Sequence, residues 1–234
     1  MKENVTKLSW IFFDLGSTLT DESMFEKYMF DSVWKTLKES DAYIDRQTFN
    51  KALTNVIETR RSGSGGYRTI IRELALSFTK NRNQLQTIIN SYSNHVSKKY
   101  LEMQILYPEA KDVLKELRSK YGLGLIANQP KEARPRLADL GLVEYLKVIV
   151  LSDEVGFSKP NHQIFLQALA EAECEPPRAM MVGDRLDNDV APAKSVGMMT
   201  VRVRRGLMVH QKPLTEMEIP DYEVLTLKDL LLIV

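Results

Sequence analysis

Three short segments of the sequence carry side chains that could act together on one ligand. Asp14 ends an apolar stretch, and the small residues 16–18 after it would let backbone amides approach a bound group. Lys159 lies in the segment 156–160, and Asp184 and Asp189 follow another apolar stretch. Ligands of open α/β sheets bind beyond the carboxyl ends of the strands. If the three segments meet at such an edge, they offer a nucleophile, a cation and a second carboxylate.

Each segment also has a simpler explanation when it is taken alone. A carboxylate after a strand can cap a turn, and Asp or Asn at the start of a helix is favoured by capping and by the helix dipole. A single lysine in a loop is most often a solvated surface residue. The hypothesis of a shared site therefore depends on the combination of the three segments in this chain order.

Short apolar runs alternate with helical periodicity from Leu106 onward, which is the pattern of parallel strands joined by crossover helices. Gly141 and Gly197 follow two of the helical stretches, where helix C-termini are expected. The predicted strands are Trp10–Phe13, Gly122–Ala127, Val148–Leu151, Ala179–Val182, Met199–Val203 and Tyr222–Leu225. The predicted core helices are Glu109–Lys120, Lys131–Leu140, Gln163–Ala172, Asn188–Val196 and Leu227–Leu232.

The region between residues 22 and 106 has helical periodicity and little strand signal. Its predicted helices lie near Phe25–Lys38, Arg46–Arg60, Tyr67–Phe78 and Gln84–Leu101. The predicted fold class is therefore α/β, with a Rossmann-like, doubly wound parallel sheet and an all-helical cap domain inserted after the first strand. The predicted core comprises residues 1–20 and 107–234, and the predicted cap comprises residues 21–106.

The composition narrows the kinds of partner that we expect. The 234 residues include 32 Lys and Arg against 31 Asp and Glu, and this net charge of +1 gives no global field that would attract nucleic acid or an anionic membrane. The single Cys174 excludes an intramolecular disulfide and a cysteine-cluster metal site. The N-terminal apolar stretch is too short for a signal sequence. We expect a cytoplasmic protein without nucleic-acid or membrane partners, as a monomer or a homodimer.

The order of these features resembles the haloacid dehalogenase (HAD)-like hydrolase superfamily, in its phosphatase branch with an inserted helical cap. The resemblance spans nearly the whole chain, from the segment 12–18 through the insertion to Lys159 and the acidic segment 181–189. It implies hydrolysis of a small phosphorylated substrate through an aspartyl-phosphate intermediate. Asp14 would be the nucleophile, and Lys159 would neutralise phosphate charge and orient Asp14.

The resemblance also implies Mg²⁺ as the cofactor and assigns residues to its binding and to phosphate binding. Mg²⁺ prefers oxygen ligands in near-octahedral geometry. Its implied ligands are Asp14, the backbone carbonyl of Gly16, Asp184 and, through water, Asp189. The implied phosphate-binding residues are Ser17, Thr18, Asn128 and Lys159. Asp187 falls at a variable position of the acidic segment and is expected in an outer shell only.

The chain departs from the family pattern at two positions. The usual second Asp, which acts as general acid and then as general base, is replaced by Gly16. General acid–base catalysis contributes about 10²–10⁴ in rate, so its loss predicts slow hydrolysis or a preference for good leaving groups. The usual Ser or Thr at the end of the second core strand is replaced by Ala127, and Asn128 with loop amides would partly replace that contact.

These departures leave two alternatives open. One is a weak or silent family member that binds a phosphometabolite or serves a regulatory role. The other is a phosphonatase-like enzyme that cleaves a C–P bond with a cap lysine, although nothing distinguishes Lys35, Lys38 or Lys51 for that role. A dehalogenase is disfavoured by the pair Gly183-Asp184. The basic run at Arg202, Arg204 and Arg205 is expected to be a solvated surface.

Overall fold

The computed structural model describes residues 7–40 and 44–234, and its contacts divide the chain into two compact units. The core unit contains the chain up to Asp21, Ile105–Val209 and Pro213–Val234. The helical unit contains Glu22–Gln104 together with His210–Lys212. None of the described helices is both long enough and apolar enough to cross a membrane.

A six-stranded sheet organises the core unit. Its strands are β1 (Trp10–Phe13), β4 (Gly122–Ala127), β5 (Val148–Leu151), β6 (Ala179–Gly183), β7 (Met199–Val203) and β8 (Tyr222–Val224). They lie in the order β5-β4-β1-β6-β7-β8, and every neighbouring pair is parallel. A separate antiparallel ribbon pairs β2 (Thr20–Asp21) with β3 (Ile105–Leu106). The parallel α/β fold predicted from the sequence is confirmed.

The helices divide between the two units as follows. The helical unit holds α1 (Ser23–Ser40), α2 (Arg46–Glu58), α3 (Tyr67–Leu76), α4 (Arg82–Ser91) and α5 (Tyr100–Met103). The core unit holds α6 (Ala110–Leu117), α7 (Ala133–Asp139), α8 (Ser152–Val155), α9 (His162–Glu171), α10 (Ala191–Ser195) and α11 (Leu227–Leu230). Positive φ values of 66° at Gly141 and 92° at Gly197 place both glycines just after α7 and α10, in the left-handed conformation typical of helix ends.

The central strands are apolar because both faces of a parallel sheet are covered. Phe12 on β1 is fully buried and packs in one cluster with Ile126, Val150 and Phe165 of α9. A Cβ atom at Gly124 would collide with the Phe12 ring, so this glycine gives the ring its space. Close packing around β1 fixes the strand whose carboxyl end carries Asp14.

The structure departs from the predicted elements in several places, and helix α8 is one element that was not predicted. The predicted helix over 188–196 is a π-helical turn, Leu186–Val190, followed by α10, and the Asp189 carboxylate accepts the backbone N–H of Arg185 within that turn. The predicted helix over 84–101 is α4 followed by π-helical and 3-10 turns up to α5. The ribbon of β2 and β3 was not predicted, because strands of two residues leave no periodic signal.

Candidate active site

The three chemistry-bearing segments meet in the core unit. Asp14, Asp184 and Asp189 each offer a carboxylate oxygen, and these oxygens lie within 4.8 Å of one another. The Lys159 Nζ atom lies 2.6 Å from Asp14 Oδ1 and 2.5 Å from Asp189 Oδ1. Asp14 is partly exposed, whereas the other three residues are buried. The site is therefore a small charged cluster of three carboxylates and one ammonium group.

Neighbouring parallel strands place the two acidic segments side by side. Asp14 directly follows β1, Asp184 directly follows β6, and the two strands pair in parallel. The backbone N–H of Asp14 continues this pairing and donates to the carbonyl of Val182 at 2.9 Å. A Cβ atom at Gly183 would collide with the Asp189 carboxylate. Glycine at this position thus lets Asp189 fold back under the strand end and reach Lys159.

Asn128 holds the backbone of Lys159. Its Oδ1 accepts the Lys159 N–H at 2.7 Å, and its Nδ2 donates to the Lys159 carbonyl at 2.8 Å. Asn128 follows β4 and Lys159 lies between α8 and α9, so these two bonds tie the lysine loop to the end of the sheet. The implied phosphate contact of Asn128 stays a prediction, and the geometry gives this residue a contact to Lys159 that the sequence did not reveal.

The electrostatics of the cluster reflect burial and like charge. Burial raises the pKa of Asp184 well above its usual value, and the charges of Asp189 and Asp14 raise it further. Burial also raises the pKa of Asp189 to about 6, although the ammonium group of Lys159 opposes this shift. Burial lowers the pKa of Lys159, but the charges of Asp14 and Asp189 outweigh that effect and leave it raised. The charges of Arg185 and Lys159 lower the pKa of Asp184, but burial and the neighbouring carboxylates outweigh them.

A divalent cation fits this donor set. Carboxylate oxygens are the hard ligands that Mg²⁺ prefers, and opposite ligands in its octahedron are about 4.2 Å apart. The oxygens of Asp14, Asp184 and Asp189 lie within 4.8 Å of one another, so small side-chain movements would bring them to a shared ion. Burial and like charge raise the pKa values of Asp184 and Asp189, and a bound cation would oppose both effects because positive charge favours the ionised carboxylates.

The loop after Asp14 is tightly wound. The carbonyl of Leu15 accepts the backbone N–H groups of Thr18, Leu19 and Thr20 at 3.3, 2.9 and 2.9 Å. Gly16 is half-buried in this loop, and Ser17 is buried with φ of +53°. The Thr18 side chain is fully buried, and its hydroxyl contacts no hydrogen-bond partner within the described residues. The phosphate-binding roles of Ser17 and Thr18 stay predictions.

The expectation of a solvated basic run is wrong for two of its three arginines. Arg202 is buried, and its guanidinium donates to the carbonyls of Asp184 at 3.3 Å and Met208 at 2.8 Å. Arg205 is mostly buried and donates to the carbonyl of Thr18 at 2.6 Å. Arg204 is the exposed member of the run. The arginine at 202 lies within β7, where both faces of the sheet are covered, and this position was the available signal for its burial.

Mg²⁺ is expected to raise the Tm of the protein, and to raise it more at pH 8 than at pH 5. Asp184 and Asp189 have raised folded-state pKa values, so their favourable contribution is present below their usual pKa. That contribution is lost as pH rises through the folded-state pKa, about 6 for Asp189. A cation at 100 times its Kd stabilises by about 2.7 kcal/mol, which corresponds to about 5 to 10 °C at this chain length.

Thermal unfolding with Mg²⁺ and with monovalent salt of equal ionic strength, at both pH values, measures this effect. Asp184→Asn is the control, because it removes one carboxylate and relieves part of the repulsion. An equal rise in Tm at both pH values, or an equal rise in the variant, would contradict a cation site at these carboxylates.

Comparisons with known proteins place this geometry in context. A family model described as haloacid dehalogenase-like hydrolase matches residues 8–197. A glyceraldehyde 3-phosphate phosphatase of Methanopyrus kandleri is 35% identical over 120 residues, and the match spans only about half of each protein, 50% of this chain and 52% of the relative. A glyceraldehyde 3-phosphate phosphatase of Methanothermobacter thermautotrophicus is 29% identical over 202 residues, which are 86% of this chain and 87% of the relative. The crystal structure of a HAD phosphatase from Thermococcus onnurineus superposes with a TM-score of 0.63 and 26% identity, and covers 97% of both chains.

Proposed function

The chain belongs to the haloacid dehalogenase-like hydrolase family, and from that premise we propose that it hydrolyses phosphate monoesters through a covalent phosphoryl group on Asp14. The observation that carries the proposal is the position of the Asp14 carboxylate, with the Lys159 Nζ atom at 2.6 Å and two further carboxylates beside it. A partly exposed carboxylate oriented by an ammonium group is suited to attack an electrophilic phosphorus.

Two displacements at phosphorus make up the proposed reaction. In the first, a carboxylate oxygen of Asp14 bonds to phosphorus while the bond from phosphorus to the ester oxygen breaks. The ester oxygen leaves with the bonding electrons and takes its proton from water, because Gly16 offers no acidic side chain. In the second, water attacks phosphorus, the bond to Asp14 breaks, and inorganic phosphate and a proton are released. Asp14 is then a carboxylate again.

The surrounding residues would stabilise the negative charge of the phosphate during both displacements. Lys159 fixes one oxygen of Asp14 and supplies positive charge next to the phosphate. Asn128 holds the lysine backbone in register with Asp14 through its two hydrogen bonds. A bound Mg²⁺, held by Asp14, Asp184, Asp189 and the carbonyl of Gly16, would supply the charge that lets a phosphate approach three carboxylates.

The proposed substrates are small phosphorylated metabolites of the cytoplasm. The two relatives compared above are named for glyceraldehyde 3-phosphate, a small triose phosphate. The absence of an acid at Gly16 favours substrates whose leaving group needs no protonation. The same absence supports the alternative of a weak or silent binding protein, and only turnover measurements separate the two functions.

A panel of phosphate esters tests the proposal. It contains an aryl phosphate with an activated leaving group, glyceraldehyde 3-phosphate and other alkyl phosphates, and one phosphonate, each with and without Mg²⁺. We expect Mg²⁺-dependent release of phosphate from the aryl ester and slower release from the alkyl esters. Cleavage of the phosphonate alone, or phosphate binding without turnover of any ester, would contradict the proposed function.

A further inference from the structure

A strained residue marks the loop that follows the proposed nucleophile. Ser17 has φ of +53°, in the left-handed region where a residue with a Cβ atom is disfavoured by about 1–2 kcal/mol. Such conformations persist only where the surrounding structure enforces them, and they concentrate at functional sites. Ser17 lies three residues after Asp14, so the contacts that hold it also determine the path of the chain away from the nucleophile.

Hydrogen bonds within the loop 15–20 form its turn, and a hydrogen bond from another segment holds the carbonyl of Thr18. The carbonyl of Leu15 accepts three successive backbone N–H groups, which closes the turn around Ser17. The carbonyl of Thr18 instead accepts Arg205 Nη2 at 2.6 Å, a short charge-assisted hydrogen bond. Because Thr18 is fully buried, this guanidinium satisfies a carbonyl that water does not reach.

Arg205 itself is fixed from two further directions. Its Nη1 lies 2.7 Å from Glu109 Oε1, and its guanidinium carbon lies 3.5 Å from the centroid of the Tyr107 ring. Both partners lie just after β3, where the chain re-enters the core unit. An arginine held by a carboxylate and an aromatic face has little freedom to follow the Thr18 carbonyl if that carbonyl moves. The contact therefore constrains the loop.

The next residue along the chain completes the contact. Gly206 packs directly on Ser17, and a Cβ atom built at Gly206 would collide with the Ser17 hydroxyl and Cβ. Glycine also suits this position because its φ is +66°. Arg205 and Gly206 together thus meet the loop at consecutive residues, Thr18 and Ser17.

We propose that the pair Arg205-Gly206 is a clamp that holds the strained loop and thereby positions Asp14 for attack. The proposal deepens the proposed function and rests on it, because it assigns Arg205 as a positioning residue for the same reaction. Arg205 acts through the backbone at Thr18, and Ser17 is the residue whose conformation makes the clamp necessary. With glycine at position 17 the loop would adopt the same positive φ without steric cost, so it would depend much less on the contacts of Arg205 and Gly206.

The test is a double-substitution cycle of Arg205→Met and Ser17→Gly. Alone, Arg205→Met is expected to lower kcat for an aryl phosphate by about 10–100-fold, because misplacement of a catalytic group by about 1 Å costs up to about 10². In the Ser17→Gly background the same substitution is expected to lower kcat less than about threefold. Arg204→Met is the matched control: it removes the exposed neighbouring arginine, which pairs with Glu223, and leaves the contacts of Arg205 in place, so we expect near-wild-type kcat.

Amide hydrogen exchange of Leu19 and Thr20 reports on the same loop without any turnover. Their N–H groups donate to the Leu15 carbonyl at 2.9 Å, so their exchange rates follow the integrity of the turn. Arg205→Met is expected to accelerate both amides at least about tenfold relative to amides of β4, and Ser17→Gly is expected to restore their protection. If the wild type hydrolyses no ester, the proposed function fails. The hydrogen-exchange rates of the wild type and the variants then test by themselves whether Arg205 holds the loop.

Two results would overturn the proposal. One is an equal effect of Arg205→Met on exchange in both backgrounds, which would mean that Arg205 contributes only general stability. The other is restored protection in the double variant together with an unrestored kcat in an active enzyme, which would mean that the loop conformation does not position Asp14.

Discussion

Asp14→Asn is expected to lower kcat/KM for every phosphate ester at least about 10³-fold, to the level of the uncatalysed background. The amide has the size of the carboxylate but is a far weaker nucleophile, so it cannot form the phosphoryl intermediate at a useful rate. The substitution also removes one of the two carboxylates that contact Lys159, at 2.6 Å for Asp14 and 2.5 Å for Asp189. The second contact keeps Lys159 in place.

The loss of activity in Asp14→Asn should result from the missing nucleophile and not from unfolding of the protein. Removing one of three clustered carboxylates relieves charge repulsion, and Asp189 keeps its contact to Lys159, so the variant without Mg²⁺ should be about as stable as the wild type. Asp139→Asn makes the same substitution at an exposed position at the end of α7 and serves as the matched control. Residual turnover of Asp14→Asn within about tenfold of the wild type would mean that another group is the nucleophile.

Gly16→Asp is expected to raise kcat/KM for alkyl phosphates by about 10–100-fold and to change kcat/KM for an activated aryl phosphate by less than about threefold, because kcat/KM reports the step in which the ester oxygen leaves. A carboxyl group two residues after Asp14 would protonate the departing alkoxide, and general acid catalysis contributes most where the leaving group is poor. The gain should have an acidic and a basic limb in its pH profile.

Gly16→Asn is the control for this prediction, because it adds the same volume without an acidic proton. Steady-state kinetics on one alkyl and one aryl ester, for the three proteins, measure the effect. An equal gain for Asp and Asn, or an equal gain on both esters, would show that the missing acid does not limit this chain.

Much of the core unit could be predicted from the sequence because the strands of a parallel sheet are short, apolar runs. β1, β4, β5 and β7 have the predicted bounds, and β6 and β8 differ by one residue. The convergence of Asp14, Lys159 and Asp184 was also predictable in outline, because the carboxyl ends of parallel strands share one edge.

Contacts between distant residues were beyond sequence reasoning. Nothing in local periodicity shows that Asn128 binds the backbone of Lys159, or that Arg205 reaches the Thr18 carbonyl, 187 positions away. Arg205 looks solvated because charge is its only local signal, while its burial accompanies contacts with Thr18 and Glu109; for Arg202 the place within β7 was the available signal. Strain at Ser17 is likewise a property of the loop in its surroundings.

A rapid acid quench during turnover tests the central claim most directly. The protein is mixed with an aryl phosphate and Mg²⁺, quenched within the first turnovers, digested and analysed by mass spectrometry. We expect a mass increase of about 80 Da, one phosphoryl group, on the peptide that contains Asp14, and a lower steady-state level of it in Gly16→Asp, where an acid/base group speeds hydrolysis of the intermediate. Phosphate release without a phosphoryl group on that peptide, or with the group on another residue, would contradict Asp14 as the nucleophile.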